Sequence, residues 1–321
     1  MFSSQVEEIV ASQLITADLD RSKGYYEFVG RGCTSTLKFL PCELDCGDFS
    51  LVSIAEITTV FESGSFPDFD EAGIQELNGG STYGAYFLVD GNLTISAQFS
   101  IYEEEPATRL AAYMILEAFG GQKAFGYAQP RSEISEDIFR QSRTYLEMPR
   151  QWSDPVTVDE FRAAADVFTH HGLVSTGFDG GFTLEIPLSG ELPSRMLDHR
   201  AQTALLKVST NISHPLAGTG YLCTIALPVD PLESQIVNCS HSLNTLELKQ
   251  DDFVPRFGAW GTRLLGTELV YSSFFPSSRR FGDLHQTMMS WNVTRTRWLR
   301  DNYWDPDYGV VITPNTADDG A

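Results

Sequence analysis

The stretch TYGAYFLVDGNLTISAQFSIYEEE, residues Thr82–Glu105, places a tight Asp90-Gly91 turn between two apolar arms. Asp-Gly between apolar runs is typical of a two-residue β-hairpin, because both residues tolerate the positive φ that this turn needs. A second stretch of the same form, RFGAWGTRLLGTELVYSSFFPSSRR, spans Arg256–Arg280. Two similar hairpin sequences this far apart in the chain indicate that a larger unit is repeated.

The segments around the first hairpin predict a complete α+β unit. Ser4 and Glu7 have the spacing of a capping box and begin a predicted helix. Strands rich in β-branched and aromatic residues follow, then a short helical segment, the hairpin and a last helix. The predicted strands are Gly24–Gly30, Ser35–Leu40 and Phe49–Phe61, and the helical segments are Phe69–Gly80 and Pro106–Gly121.

The same order of elements begins again near Ser153. Thr157 and Glu160 form a second capping box at the start of a helix. The strands predicted after it are Gly181–Leu188, Thr203–Thr210 and Gly220–Val229, followed by a short helical segment in Leu243–Gly258 and by the second hairpin. A final helix carries Leu284, Met288, Trp291 and Trp298 on one stripe.

The sequence therefore predicts an α+β protein of two tandem copies of an α-βββ-α-ββ-α domain. Short links between neighbouring strands favour mainly antiparallel sheets, with the helices packed on one face of each sheet. The predicted domains are residues 1–150 and residues 151–321, with a boundary near Leu146–Thr157, where two prolines interrupt any regular pattern. The second copy carries an apparent insertion at Ser189–Gln202 and an acidic C-terminal tail.

Composition argues against two classes of partner and favours one compartment. The chain has 43 acidic residues against 22 Lys plus Arg, a formal net charge of -21. Such a surface repels nucleic-acid phosphates and anionic membranes. The sequence has no apolar run of membrane-spanning length and no secretory signal pattern, and its five cysteines are an odd number, so a reducing cytoplasm is expected.

Motifs for catalysis or metal binding are weak in this sequence. Cys42 and Cys46, with Cys33 nearby, have the spacing of a zinc corner but lack further ligands, so inert thiols are the preferred interpretation. His170-His171 is read as the end of a helix, and Gly218–Cys223 as a turn rather than a dinucleotide fingerprint. We therefore expect no enzyme activity, no cofactor and no bound metal.

The second half of each repeat resembles the YbjN family, which shares its fold with type III secretion chaperones. The resemblance lies in ELNGGSTYGAYFLVDGNLTISAQFSIYEEEPATRLAAYMILEAF and in DFVPRFGAWGTRLLGTELVYSSFFPSSRRFGDLHQTMMSWNV. The second copy departs from the pattern, since its turn lacks Asp-Gly and Pro276 interrupts its last strand. The resemblance implies a small cytoplasmic module that binds proteins or dimerises, linked to regulation of sensory transduction, and it implies no reaction.

Aromatic residues crowd the second copy and are the candidate binding residues. Most of them are expected in the core, and the others in an apolar groove or an interface between the copies. The set is Trp260, Phe274, Phe275, Trp291 and Trp298. The sequence thus predicts a non-enzymatic protein-binding module, as an intramolecular pseudo-dimer or a homodimer with an unidentified protein or peptide partner. The alternative is a small-molecule sensor or enzyme with a ligand pocket between the two copies.

Overall fold

The chain has a mixed α+β fold with two large antiparallel sheets. The computed structural model describes residues 6, 10, 25–30, 32–45, 50–62, 70–80, 84–102, 115, 158–169, 173–188, 203–214, 218–228, 233–249, 258–263, 268–276, 284–305 and 309–312. Helices and strands are numbered below in chain order within this part.

The first sheet has five strands in the order β1-β2-β3-β5-β4, and all neighbours are antiparallel. The helix α1 separates the first three strands from the hairpin of β4 and β5. The bounds are β1 Tyr25–Gly30, β2 Cys33–Asp45, β3 Ser50–Phe61, α1 Glu71–Gly80, β4 Ala85–Val89 and β5 Asn92–Tyr102. The order of these elements is the order that the sequence predicts.

The second sheet has six strands in the order β10-β11-β9-β8-β7-β6, again antiparallel throughout. Its elements are α2 Val158–Thr169, β6 Val174–Phe178, β7 Gly181–Pro187, β8 Thr203–His214, β9 Gly218–Ala226, α3 Glu233–Lys249, β10 Ala259–Arg263, β11 Glu268–Pro276 and α4 Leu284–Tyr303. A two-stranded ribbon follows, β12 Trp304–Asp305 with β13 Gly309–Val310.

Two elements of this half differ from the sequence prediction. The edge strand β6 was not predicted, because its VSTGF sequence is mostly exposed and carries no alternating apolar pattern. The helix α3 begins at Glu233, ten positions before the short segment predicted from Leu243, and it ends at Lys249. Its buried side carries the polar residues Ser240 and Asn244, so apolar periodicity did not reveal its full length.

The two sheets have a corresponding strand order when each is read from its hairpin edge. The first reads β4-β5-β3-β2-β1 and the second reads β10-β11-β9-β8-β7, with β6 added at the far side. In both, the helix that precedes the edge hairpin, α1 or α3, contacts the edge strand.

One cluster of buried apolar side chains includes residues of both sheets. Alternate residues of β5 and β7 enter this core, as a period of two requires, among them Phe99, Ile101, Phe182 and Leu184. Val6, Val10 and Ile115 are helical and fully buried in the same cluster. They lie in the predicted helices that start at Ser4 and at Pro106.

Several predicted features fall outside the described residues. These are the boundary at Leu146–Thr157, His170-His171, the insertion at Ser189–Gln202 and the acidic tail. Of the helices in the described ranges, none combines the length and the apolar character that crossing a bilayer requires.

Candidate protein-interaction site

Three of the five predicted binding aromatics lie inside the protein. Trp260 is fully buried, and Phe274 and Phe275 are 1% and 2% exposed. Trp291 and Trp298, on α4, are only partly buried and pack against the core. The Phe275 and Trp291 rings are 6.4 Å apart between centroids, whereas Trp260 packs instead on Tyr271 at 5.4 Å. A partner could therefore reach only Trp291 and Trp298 of this set.

The burial of Trp260 and Phe274 follows from packing on both faces of the β10–β11 hairpin. Successive residues of β11 from Val270 to Phe275 are at most 2% exposed, although they point alternately to opposite faces. The helix α3 contacts this hairpin, and so does α1, which belongs to the first half of the chain. The hairpin thus forms part of a junction between the two halves.

An asparagine side chain closes the edge strand of each sheet. Asn78 on α1 accepts a hydrogen bond from the Tyr86 amide at 2.6 Å and donates to the Tyr86 carbonyl oxygen at 3.1 Å. Asn244 on α3 holds Trp260 in the same way, with 2.9 Å to its amide nitrogen and 2.7 Å to its carbonyl oxygen. We call these two arrangements the asparagine clamps.

Each asparagine clamp replaces the neighbouring strand that an edge lacks. A carboxamide carries one acceptor and a donor group side by side, which matches the spacing of N–H and C=O on an extended backbone. Open edges invite pairing with other chains, and proteins cover them for that reason. At Tyr86 and Trp260 the outward backbone groups of β4 and β10 are therefore satisfied within the chain.

The two clamps are connected to each other across the junction. The Ser240 hydroxyl on α3 donates to Gln75 Oε1 on α1 at 2.8 Å. Asn78 Nδ2 lies 3.4 Å from the same oxygen, and Gln75, Asn78 and Ser240 are all fully buried. This chain of polar contacts runs from one edge strand to the helix that holds the other.

Apolar contacts complete the junction beside the polar ones. Ala85 and Phe87 of β4 form a buried cluster with Ala259 of β10. The Phe87 ring stands edge-on to the His241 ring of α3, 6.4 Å away. Small residues on facing strands let the two halves approach closely.

A buried ion pair fixes α4 to the hairpin. Glu247 Oε1 accepts hydrogen bonds from Trp260 Nε1 at 2.7 Å and from Arg295 Nε at 2.8 Å. The Arg295 guanidinium also lies 3.9 Å from the centroid of the Tyr271 ring. Burial by itself lowers the pKa of Arg295, but attraction to Glu247 and Tyr271 and the hydrogen bond to Glu247 outweigh it, so the pKa ends above its ordinary value. The residue remains charged, and its role here is to hold three elements together.

The described cysteines are poor candidates for chemistry. Cys33 and Cys223 are fully buried, and burial raises the pKa of the Cys223 thiol and that of the Cys239 thiol. A thiol held in its neutral form is a weak nucleophile and a weak metal ligand. The side chains of Cys42 and Cys46 lie outside the described part, and within it no group of three or more His, Cys, Asp or Glu residues is placed to bind a metal.

Both sheets present a face that carries exposed aliphatic side chains. We call this the outer face, which in the first sheet bears Glu27, Thr36 and Thr58 and in the second Thr176, Thr183 and Lys207. Val29, Leu40 and Val60 of the first outer face are 66%, 41% and 38% exposed. Val174 and Leu205 of the second are 55% and 38% exposed. Val29 and Val60 flank Thr34 in one cross-strand row, so these aliphatic groups are neighbours.

Comparison with models of protein families gives no match for this chain. No curated protein matches it, and no solved structure does. The resemblance to the YbjN family therefore stays a prediction.

Proposed function

We propose that the chain is a non-enzymatic protein-binding module built from two tandem copies of a YbjN-like, secretion-chaperone-like α+β unit, residues 1–150 and 151–321. The observation that carries this proposal is the pair of asparagine clamps. In each sheet an asparagine of the preceding helix holds the second residue of the edge strand by both backbone groups. The corresponding strand order supports the same duplication.

The two copies act as a pseudo-dimer within one chain. The Gln75–Ser240 hydrogen bond and the Ala85–Phe87–Ala259 cluster hold them together. Because the hairpin edges β4 and β10 are both covered at this junction, a partner has to bind another surface. The outer faces and the exposed parts of Trp291 and Trp298 are the surfaces that remain.

The partner proposed for the first outer face is a protein with an apolar patch and a basic rim. Val29, Leu40 and Val60 supply apolar area, and Thr34 lies between Val29 and Val60 in one cross-strand row. The chain's net charge of -21 attracts a basic partner and raises the rate of encounter. Such a module fits a reducing cytoplasm, which suits the buried thiols of Cys33 and Cys223.

Capture from the native cell followed by mass spectrometry tests this function. Wild-type chain should enrich a defined protein, and the double variant Val29→Lys with Val60→Lys should lose it by at least tenfold. Val311→Lys is the matched control, since Val311 is 40% exposed but lies outside both sheets. Equal capture by the double variant would exclude the first outer face as the binding surface.

The second candidate function is a sensor or enzyme with a pocket between the copies. One observation favours it: among the described residues, Gln75 Nε2 has no hydrogen-bond acceptor although it is buried at the junction. Native mass spectrometry of purified protein would detect a bound metabolite. A stoichiometric small molecule lost on Gln75→Leu substitution would favour this function over protein binding.

A further inference from the structure

The strand β6 forms the edge of the second sheet on the side away from the asparagine clamp. The Thr210 amide donates to the carbonyl oxygen of Gly180, which directly precedes β7, at 2.8 Å. Because backbone groups alternate in direction along a strand, the even-numbered residues of β7 also direct their N–H and C=O groups toward β8. Odd-numbered residues of β7 consequently face β6, where Thr183 pairs with Thr176 and Glu185 with Val174. The backbone groups of Ser175 and Gly177 therefore point away from the sheet.

This edge differs from the two that the clamps close. Within the described residues, no group accepts a hydrogen bond from the N–H of Ser175 or Gly177, and none donates one to the C=O of either residue. Val174, Thr176 and Gly177 are exposed, and Val174 is 55% exposed. An exposed strand with four outward backbone groups is a template for pairing with another strand.

We propose that a second copy of this chain pairs with β6, antiparallel, about a twofold axis through Thr176. In this register Ser175 of each copy lies opposite Gly177 of the other. Since these two residues carry the outward backbone groups, the pairing satisfies all four on each strand. This inference goes beyond the proposed function and does not depend on it.

The side chains of β6 complement themselves in the same register. Val174, Thr176 and Phe178 fall at the positions where antiparallel partners bring side chains closest. Val174 lies opposite Phe178 of the second copy at both ends, and Thr176 lies opposite its own equivalent in the middle. Aromatic with β-branched and Thr with Thr are two of the pairs that stabilise antiparallel strands.

The fit of β6 to itself favours a second copy over an unrelated extended peptide. A closed twofold contact is also the commonest form of association among soluble chains. The opposing term is charge, because each copy carries a net charge of -21. Salt screens that repulsion over about 10 Å at 0.1 M, so the dimer should strengthen as ionic strength rises.

Sedimentation equilibrium on the full chain, from about 1 to 200 μM in low and high salt, tests the contact. Wild type should dimerise, and Ser175→Pro should weaken the dimer at least tenfold because it removes an outward N–H without touching the β7 ladder. Val174→Lys should do the same, whereas Val29→Lys, the matched change on the edge strand β1, should not. Circular dichroism confirms that each variant folds. A wild type that stays monomeric throughout, or a Ser175→Pro variant that dimerises unchanged, overturns the proposal.

Cysteine cross-linking tests the register itself. Thr176→Cys places two thiols directly opposite each other across the axis, within reach of a disulfide. Val174→Cys places them about 13 Å apart, four residues at ~3.3 Å each, which is too far. Oxidation should give a covalent dimer with Thr176→Cys and only the wild-type background with Val174→Cys. Equal cross-linking of both variants would overturn the twofold register.

Loss of partner capture by Val29→Lys with Val60→Lys, with dimerisation intact, would separate this contact from the proposed function.

Discussion

Asn244 on α3 holds both backbone groups of Trp260 on β10, with its side-chain oxygen 2.9 Å from the amide nitrogen and its side-chain nitrogen 2.7 Å from the carbonyl oxygen. Asn78 holds Tyr86 on β4 in the same way. Both asparagines are nearly or fully buried, so water cannot replace them. The clamps thus join helix to sheet in each half and protect the hairpin edges.

Replacing either clamp should destabilise the protein. Asn244→Ala and Asn78→Ala each leave one N–H and one C=O buried without a partner, at about 1–3 kcal/mol per group. We expect a loss of roughly 2–5 kcal/mol in the free energy of unfolding, measured by urea denaturation. Asn302→Ala is the control, because Asn302 is exposed and its side chain donates to the Trp298 carbonyl oxygen of its own helix. A clamp variant no less stable than the control would mean that the clamps do not hold the edges.

Glycine is required immediately before each hairpin edge strand. A Cβ at Gly84 would overlap the Ser96 carbonyl oxygen, and one at Gly258 would overlap the Ser272 carbonyl oxygen. Gly84 also has a φ of +129°, which L side chains rarely adopt. Gly84→Ala and Gly258→Ala should each lower the free energy of unfolding by about 3 kcal/mol or more. Gly91→Ala, with a φ of +77° but open space, should cost only about 1 kcal/mol. Equal costs for all three would show that the overlap is relieved by movement of the strands.

Leu93 and Leu269 occupy matching places in the two hairpins. Each is the second residue of its strand, β5 or β11, and they are 6% and 1% exposed. Leu→Ala at either should cost roughly 2–5 kcal/mol, from lost burial and the cavity left behind. Leu88→Ala, at 47% exposure, should change stability by much less. A cost below ~1 kcal/mol at Leu93 or Leu269 in denaturant melts would contradict these core positions.

The hairpins could be predicted because their signals are local. Asp90 and Gly91 have φ values of 51° and 77°, as the Asp-Gly pair predicts, and the odd-numbered residues of β5 from Leu93 to Ile101 are buried, as a period of two requires. The mainly antiparallel α+β class followed from the short links between strands. The helix α3 was under-predicted, since the buried positions Ser240 and Asn244 are polar and interrupt its apolar stripe.

The junction could not be predicted because its contacts join distant parts of the chain. The Gln75–Ser240 hydrogen bond joins residues 165 positions apart. The first clamp spans eight residues and the second spans sixteen, so no common spacing reveals the clamps either. The sequence predicted Trp260 and Phe274 within an aromatic set expected mostly in the core and otherwise in an apolar groove or an interface between the copies, and it did not assign either residue to one of these places. The helix α1 of the first half contacts β10 and β11, and no residue pattern within the hairpin predicts that contact.

Above pH 9 the free energy of unfolding should fall with rising pH, because two buried groups, a cysteine and a tyrosine, stay protonated only in the folded chain. Burial raises the pKa of Cys223 above its ordinary value of 9.0 and that of Tyr86 above 10.0. The unfolded chain then releases these protons first, so the stability that they contribute is full below pH 9 and is lost as pH rises toward the folded-state pKa values. Each group adds a slope of about 1.4 kcal/mol per pH unit. In urea melts between pH 9 and 11, the free energy of unfolding of Cys223→Ala should fall less steeply with pH than that of wild type, by about 1.4 kcal/mol per pH unit. This difference in slope is expected whatever the variant's stability at pH 7. An unchanged slope would contradict the burial of this thiol.

Glu247 and Arg295 should contribute to the free energy of unfolding through their interaction with each other, so the effects of replacing them should not be additive. Both side chains are mostly buried, at 12% and 3% exposure, and Trp260 Nε1 donates to the same carboxylate oxygen. Glu247→Gln leaves a buried guanidinium without its counter-charge, and Arg295→Met leaves a buried carboxylate, so each should cost about 3–5 kcal/mol. The double variant has no buried charge, and it should cost clearly less than the sum of the two single variants. The exposed pair Arg300–Asp301, 2.6 Å apart, provides the control, since Arg300→Met should change stability by no more than about 1 kcal/mol. Additive costs at Glu247 and Arg295 would mean that the two residues stabilise α4 separately, through packing on Trp260 and Tyr271, rather than through their charges.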